Sequence, residues 1–186
     1  MTEHDNVKAS TSSLLSAAKA EGKRGSPPVH LWNPPYCGEI DIVIKRDGTW
    51  FHEGTPIGRP GLVRLFSSIL KREGDRHYLV TPVEKVGIQV EDAPFVAVDF
   101  TADTGAITFE TNVGDRVTAG PDHPIRMDLA DDGEPSPYLE IRRGLEALID
   151  RKSFYRLAEI GEEESGMFGL RSGGMFFPLI EASALR

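Results

Sequence analysis

The sequence is poor in cysteine, since Cys37 is the only one among 186 residues. A disulfide framework within the chain is therefore excluded, and so is a zinc site built from several cysteines. Cys37 lies in a segment rich in proline and glycine, where a lone cysteine is more often a small apolar filler than a nucleophile. The five histidines form no pair at ligand spacing, and neither H-E-x-x-H nor an EF-hand loop occurs. We therefore expect no metal and no cofactor.

Long apolar runs are missing as well. No segment reaches the ~18–20 apolar residues that are needed to cross a membrane, and the start of the chain lacks the basic and apolar regions of a signal peptide. Lysine and arginine, 21 together, are outnumbered by 29 aspartates and glutamates, which gives a net charge of −8. Such a chain is a poor partner for nucleic acid polymers and anionic membranes, although it can carry one local basic pocket. We expect a cytoplasmic protein.

Short catalytic motifs are also lacking. The sequence contains neither G-x-S-x-G nor a phosphate loop that ends in Gly-Lys-Ser/Thr. Paired acids of the glycosidase type cannot be recognised from spacing alone. The sequence therefore favours a non-enzymatic protein, with a hydrolase whose acids converge only in the folded chain as an alternative.

What is present suits a folded core, because 39% of the residues are apolar and 27% are charged. Three segments have helical patterns of apolar residues between capping and stop signals. The predicted helices are STSSLLSAAKAEG (10–22), RPGLVRLFSSILKREG (59–74) and SPYLEIRRGLEALIDR (136–151). In the last of these, Ser136 is the expected N-cap and Pro137 suits the first helical position.

Strand signals fill most of the remaining chain. Ile40, Ile42 and Ile44 alternate with other residues before Asp47-Gly48, a favoured hairpin turn. Further strands are predicted at 77–81 and 84–91, on both sides of Thr104-Gly105 within 95–112, within 115–120, and near 154–160, 166–171 and 175–180.

Carboxylates stand at both ends of one predicted strand face. Glu84, Val86, Ile88, Val90 and Asp92 share a face because side chains alternate with a period of two. The plainer interpretation is that the acids cap loop amides where the strand meets solvent. The functional interpretation pairs them with Arg59 and Arg142, two arginines at predicted helix starts that could also bind a phosphate with two bonds.

The two longer predicted helices indicate an internal repeat. RPGLVRLF (59–66) aligns with RRGLEALI (142–149). Each is followed by a predicted strand that begins with two ring side chains, HYLV at 77–80 and FYRL at 154–157. We therefore predict two similar strand-helix-strand units that arose by duplication. A seam between two such units is a natural place for a small-molecule site.

Two blocks of residues resemble a bacterial family, the domain-of-unknown-function 1285 (DUF1285) family. The first block contains Asp47, Gly48, Trp50, Gly54, Pro56, Ile57 and Arg59, and the second contains residues 81–85 and 90–95. The resemblance runs from about residue 32 to 100. It implies a duplicated α+β fold whose second domain is similar to pleckstrin-homology-like barrels, a nucleotide-like ligand between the domains, and a role in signalling. It implies no catalytic residue.

The sequence thus predicts an α+β protein with an N-terminal arm carrying a short helix (1–28), a first α+β domain (29–92) and a second (93–186). The first function hypothesis is a cytoplasmic ligand-binding protein with a nucleotide-like anionic molecule in the interdomain cleft. The alternatives are an adaptor that binds a protein partner without a small ligand, and the hydrolase. The candidate ligand-binding residues are Trp50, Arg59, Thr81, Glu84, Lys85, Glu91, Asp92 and Arg142. Trp50 is a possible stacking platform, although a hairpin tryptophan is more often a core residue.

Overall fold

The structure is a computed structural model that describes residues 10–22 and 26–186. The chain divides into two compact units, Met1–Glu91 and Asp92–Arg186. The predicted N-terminal arm, residues 1–28, lies partly outside the described residues. No helix in the described part of the chain is long and apolar enough to cross a membrane.

The described residues of the first unit form one mixed sheet and two helices. Its elements are α1 (Thr11–Gly22), β1 (Tyr36–Ile44), β2 (Trp50–His52), β3 (Thr55–Pro56), α2 (Pro60–Ser68), β4 (Leu70–Glu73), β5 (Arg76–Val80) and β6 (Lys85–Val90), with a 3-10 turn at Val29–Leu31. The strand order is β3-β2-β1-β6-β5-β4. Neighbouring strands are antiparallel except for the central pair β1 and β6, which is parallel.

One face of this sheet forms the core of the first unit. Ile42, Ile44 and Val86 are completely buried, and they lie on the strand faces that alternate inward. Trp50 pairs with Ile44 across β1 and β2, and its ring stacks on Phe66 of α2. The helix α2 therefore covers this face of the sheet, and α1 packs against α2.

The second unit contains two sheets and one helix. Its elements are β7 (Phe95–Asp103), β8 (Ala106–Thr111), β9 (Arg116–Thr118), β10 (Ile125–Leu129), β11 (Pro135–Arg142), β12 (Leu145–Ile149), α3 (Arg151–Glu159), β13 (Glu162–Glu164), β14 (Met167–Ser172) and β15 (Met175–Glu181), before a 3-10 turn at Ala182–Leu185. The larger sheet has the order β10-β11-β12-β7-β8-β9, and β13-β14-β15 form a smaller one. The buried Ser172 hydroxyl joins them, since it accepts from the amide of Ile107 and donates to the carbonyl of Ala119, both at 2.8 Å.

The two six-stranded sheets have the same topology. In each, the first three strands form a meander that runs outward from the centre, and the last three form a second meander that returns to it. The first and sixth strands pair in parallel at the centre, β1 with β6 and β7 with β12. The structure is therefore a mixed α+β fold with two similar sheets.

The helix predicted over 136–151 is wrong. This segment forms the hairpin β11–β12, in which Arg143 and Gly144 adopt φ angles of 47° and 78° at the turn. The true helix, α3, begins after Asp150, whose side chain accepts a hydrogen bond from the amide of Ser153 at 2.8 Å. The strand predicted near 154–160 is therefore wrong as well, since an N-cap of this type starts a helix at the following residue.

The proposed alignment of 59–66 with 142–149 is also wrong, because α2 is a helix and the second segment is a hairpin. The helices occupy different places in the two units: α2 lies between the third and fourth strands, whereas α3 follows the sixth. In addition, the helix predicted over 59–74 ends at Ser68, and Leu70–Glu73 continues as strand β4. The predicted helix over 10–22 and the strands around Asp47-Gly48, at 77–81 and at 84–91 are confirmed.

Candidate ligand-binding face

The face of the first sheet opposite α2 carries a cluster of charged and aromatic side chains. Strand register decides its membership: Tyr78 pairs with Gly87 and with Lys71, while Arg76 pairs with Glu73. Directly opposed residues lie on the same face of a sheet. We call this cluster the charged face, and its members are Tyr36, Glu39, Lys71, Glu73, Arg76, Tyr78 and Lys85.

A bulge in β1 brings two residues of that strand onto the charged face. Tyr36 pairs with Lys85 and Glu39 pairs with Gly87, so three steps along β1 match two steps along β6. Without the extra residue, Tyr36 and Glu39 would lie on opposite faces. Gly38 lies within this irregular stretch with φ of 96°, a conformation that costs little only for glycine.

Two ammonium groups converge on one carboxylate at one end of the charged face. Lys85 Nζ lies 2.8 Å from Glu73 Oε2, and Lys71 Nζ lies 3.1 Å from Glu73 Oε1. The lysine side chains are only 14% and 19% exposed, respectively. Lys85 Nζ also lies 4.9 Å from the centre of the Tyr78 ring, a cation–π distance. Lysine is seldom buried to this extent unless it is paired, so this cluster holds its charges in fixed positions.

A second group surrounds the Glu39 carboxylate. The Tyr36 hydroxyl and Arg76 Nη2 both donate to Glu39 Oε1. The Arg76 guanidinium also lies over two rings, at 5.7 Å from Tyr36 and 5.2 Å from Tyr78, and these rings meet edge to face at 6.2 Å. Tyr36 remains 49% exposed. The group therefore offers an accessible aromatic ring beside a cation.

The net charge of the charged face is positive, whereas that of the whole chain is negative. Its three cations, Lys71, Arg76 and Lys85, exceed its two acids by one positive charge, whereas the whole chain carries −8. Hydrogen bonds from Lys85 and then Lys71 hold the pKa of Glu73 below its usual value, so this carboxylate stays ionised. The hydrogen bond to Glu39 raises the pKa of Tyr36, which keeps the phenol protonated. The cations can therefore serve as donors to an anion, and the phenol can do so once its O–H no longer donates to Glu39.

Among the predicted site residues, Lys85 lies on the charged face, whereas Thr81 and Glu84 have structural contacts nearby. The Thr81 hydroxyl accepts from the amide of Glu84 at 3.1 Å and closes the turn before β6. A Glu84 carboxylate oxygen accepts from the hydroxyl of Ser13 in α1 at 3.1 Å. The Glu84 carboxylate therefore binds a side-chain hydroxyl of α1, and not the loop amide that the plainer interpretation gave it.

The two acids after β6, Glu91 and Asp92, also accept hydrogen bonds from nearby groups. Glu91 accepts from Lys45 Nζ at 2.7 Å and from the amide of Arg46 at 3.0 Å, and these bonds lower the pKa of Glu91. Asp92 accepts from the hydroxyl of Tyr138 at 2.6 Å. The opening residue of the second unit is thereby fixed to its own sheet.

The Tyr138 ring belongs to a further ion-pair group of the second unit. The Arg126 guanidinium lies 4.3 Å from the centre of that ring and forms two parallel bonds to Glu146, at 2.7 and 2.8 Å. Those bonds to Glu146 are the main cause of the raised pKa of Arg126. Since the fork of Arg126 is already filled by a carboxylate, we interpret this group as structural.

The predicted pairing of Arg59 with a carboxylate of 84–92 is wrong. Arg59 is exposed at the N-cap of α2, and within residues 10–22 and 26–186 it forms no ion pair. Arg142 does not begin a helix but ends β11, where it lies 3.0 Å from Asp115 and 5.0 Å from the centre of the Phe95 ring. Trp50 is 1% exposed, which confirms the expectation that it is a core residue.

Sequence reasoning missed six of the seven residues of the charged face. The signal that was available is the alternation of Arg76 and Tyr78 with the core residue Leu79, and of Lys85 with Val86, which marks a second, polar face of the same strands. The contribution of β1 was harder to find, because the bulge at Gly38 breaks the alternation.

The fold and the charged face together define a class: a two-unit α+β protein with a compact group of cations and tyrosines on one sheet. The comparisons with known proteins name the family. The models of the N-terminal and C-terminal domains of DUF1285, described as a domain and a protein of unknown function, match residues 27–93 and 94–179. The chain belongs to the DUF1285 family. No curated protein matches it.

Two solved structures of the same family are similar to this chain. A DUF1285 family protein from Silicibacter pomeroyi DSS-3 is 62% identical with a TM-score of 0.86, over 92% of this chain and 97% of the other. A DUF1285 family protein from Shewanella baltica OS155 is 35% identical with a TM-score of 0.52, over 63% of this chain and 90% of the other. The family assignment agrees with the resemblance seen in the blocks around Trp50 and in 81–95.

Proposed function

We propose that the protein is a non-enzymatic binding protein for a small anionic molecule, and that the charged face holds this molecule. The observation that carries the proposal is the convergence of Lys71 and Lys85 on Glu73 beside Tyr78. Two poorly exposed ammonium groups that share one carboxylate retain a surplus positive charge. An anion near them gains more from that charge than it would in bulk water, because the surroundings have a lower dielectric constant.

The aromatic residues support a ligand that carries a ring. Tyr36 is accessible and lies beside the guanidinium of Arg76, so a planar group can stack while its anionic end meets the cations. A nucleoside monophosphate combines both features, which keeps the nucleotide-like ligand of the sequence hypothesis. That hypothesis placed the ligand at a seam between the units, whereas the present proposal rests on contacts within the first unit alone.

Binding of adenosine monophosphate is the direct test, measured by thermal shift and by calorimetric titration. A ligand at ~100 times its Kd stabilises the folded state by about 2.7 kcal/mol. Lys85→Met, which keeps most of the length of the side chain without its charge, should weaken binding at least ~10-fold. Lys152→Met is the matched control, because Lys152 is an exposed lysine on α3 in the second unit. Equal binding by both variants would place the ligand elsewhere, and no binding by the wild type to adenosine monophosphate or phosphate would overturn the proposal.

Four finer points remain proposals. The shared topology of the two six-stranded sheets supports an origin by internal duplication. Likeness of the second unit to pleckstrin-homology-like barrels rests only on the sequence resemblance, as does a role in signalling. A cytoplasmic location rests only on the composition of the sequence.

A further inference from the structure

The floor of the charged face is a glycine with a carboxylate lying on it. Gly87 pairs with Glu39 on one side and Tyr78 on the other, so it occupies the centre of the cluster. A Cβ atom at this position would lie 2.5 Å from Cδ of Glu39 and closer still to one of its oxygens. Such a distance is impossible without movement of Glu39. The Glu39 carboxylate therefore fills the space that a side chain at position 87 would take.

The groups around this space are hydrogen-bond donors of the kind that bind anions. The phenol of Tyr36 and the guanidinium of Arg76 both donate to Glu39. The Glu39 side chain is 50% exposed, so solvent reaches it and rotation about its side-chain bonds can carry it away. The space is thus filled by a charged group of the chain that is attached only through a flexible stem.

We propose that Glu39 is an internal competitor, whose carboxylate occupies the position of the anionic group of the ligand. Binding of an external carboxylate or phosphate there requires Glu39 to leave, and Tyr36 and Arg76 then donate to the ligand instead. Departure of Glu39 also removes one negative charge from the charged face. Glu39 thereby sets the affinity of the face and rejects ligands without an anionic group. This inference rests on the proposed function and adds the identity of the residue that controls it.

Substitution of Glu39 separates its charge from its size. Glu39→Ala clears the space above Gly87, and Glu39→Gln keeps the shape while it removes the charge. The matched control is Glu91→Ala, since Glu91 is a carboxylate of the same unit, is paired with Lys45 and is 42% exposed. The probes are benzoate and phenyl phosphate, which differ only in the anionic group, and benzyl alcohol as a neutral analogue. Binding is followed through the backbone amide signal of Gly87 in two-dimensional ¹H–¹⁵N NMR spectra.

The expected result is that Glu39→Ala binds benzoate or phenyl phosphate at least ~10-fold more tightly than the wild type, with Glu39→Gln between them and Glu91→Ala unchanged. The stronger of the two probes then identifies the ligand group as carboxylate or phosphate. Weaker or unchanged binding by Glu39→Ala, in a wild type that does bind the probes, would overturn the role of Glu39 and leave the proposed function intact. Absence of binding by every variant would overturn both. A gain in benzyl alcohol binding equal to that of the anions would show that only space, and not charge, had been released, which also contradicts the proposal.

Discussion

Replacing Phe66 with alanine tests how α2 is held on the first sheet. Phe66 is 1% exposed, and its ring stacks on Trp50 with centroids 6.3 Å apart and an interplanar angle of 9°. Removal of a buried phenylalanine costs ~3–5 kcal/mol because it leaves a cavity, and the aromatic pair accounts for ~0.5–1.5 kcal/mol of this. The neighbouring Leu65 is only half-buried. Because full burial of a leucine contributes ~1.5–3 kcal/mol, Leu65→Ala should cost about 1 kcal/mol and is the matched control.

Urea unfolding followed by tryptophan fluorescence measures this difference. Both tryptophans, Trp32 and Trp50, lie in the first unit, so their emission reports on that unit. With a slope of about 2 kcal/mol per M of urea, Phe66→Ala should lower the midpoint by ~1.5–2.5 M and Leu65→Ala by about 0.5 M. The helical pattern alone predicts a loss of ~2–5 kcal/mol for Leu65→Ala, because it treats Leu65 as a core residue. A larger loss for Leu65→Ala than for Phe66→Ala would refute the packing described here.

Three further substitutions have defined outcomes. Gly38→Ala should lower the stability of the first unit by ~1–2 kcal/mol in urea unfolding, because φ is 96° there; a neutral result would contradict the bulge. Lys85→Met should cost more stability at pH 7 than at an acid pH below the lowered pKa of Glu73. Glu73 has a lowered pKa in the folded state, so its contribution is present above the unfolded value of 4.5 and is lost as the pH falls through the lowered one; equal losses at both pH values would contradict the pairing. Asp150→Ala should cost ~0.5–2 kcal/mol in the second unit, measured by thermal unfolding with circular dichroism, because it removes the N-cap of α3; no change would show that the cap is dispensable.

The hairpin β11–β12 shows why the sequence misled at one place and informed at others. Tyr138, Ile141 and Leu145 fit a helical stripe, and this favoured a helix over 136–151. The residues after the turn also fit a strand, since Leu145, Ala147 and Ile149 are buried and alternate with less buried neighbours. Gly144 within the predicted helix was the distinguishing signal, because its positive φ supports a hairpin turn. By contrast, the turn at Asp47-Gly48 depends on these two residues themselves, and the sequence predicted it correctly.

The charged face was largely beyond prediction because it depends on long-range register. Lys71, Tyr78 and Lys85 come from three strands, and only the pairing of β4 with β5 and of β5 with β6 brings them together. The placement of Glu39 over Gly87 depends in addition on the bulge in β1. Arg59 shows the opposite error. Its position at the start of a helix was predicted correctly, but the pairing with a carboxylate of 84–92 that was inferred from this position is not formed.

The most direct test of the central claim is a ¹H–¹⁵N NMR titration of the whole chain with adenosine monophosphate. If the charged face binds the anion, the amide signals that move first and furthest belong to Lys71, Tyr78, Lys85 and Gly87, and in Lys85→Met the same changes need at least ~10-fold more ligand. Signals that stay in place up to millimolar ligand, or changes confined to residues outside the first sheet, would contradict the account.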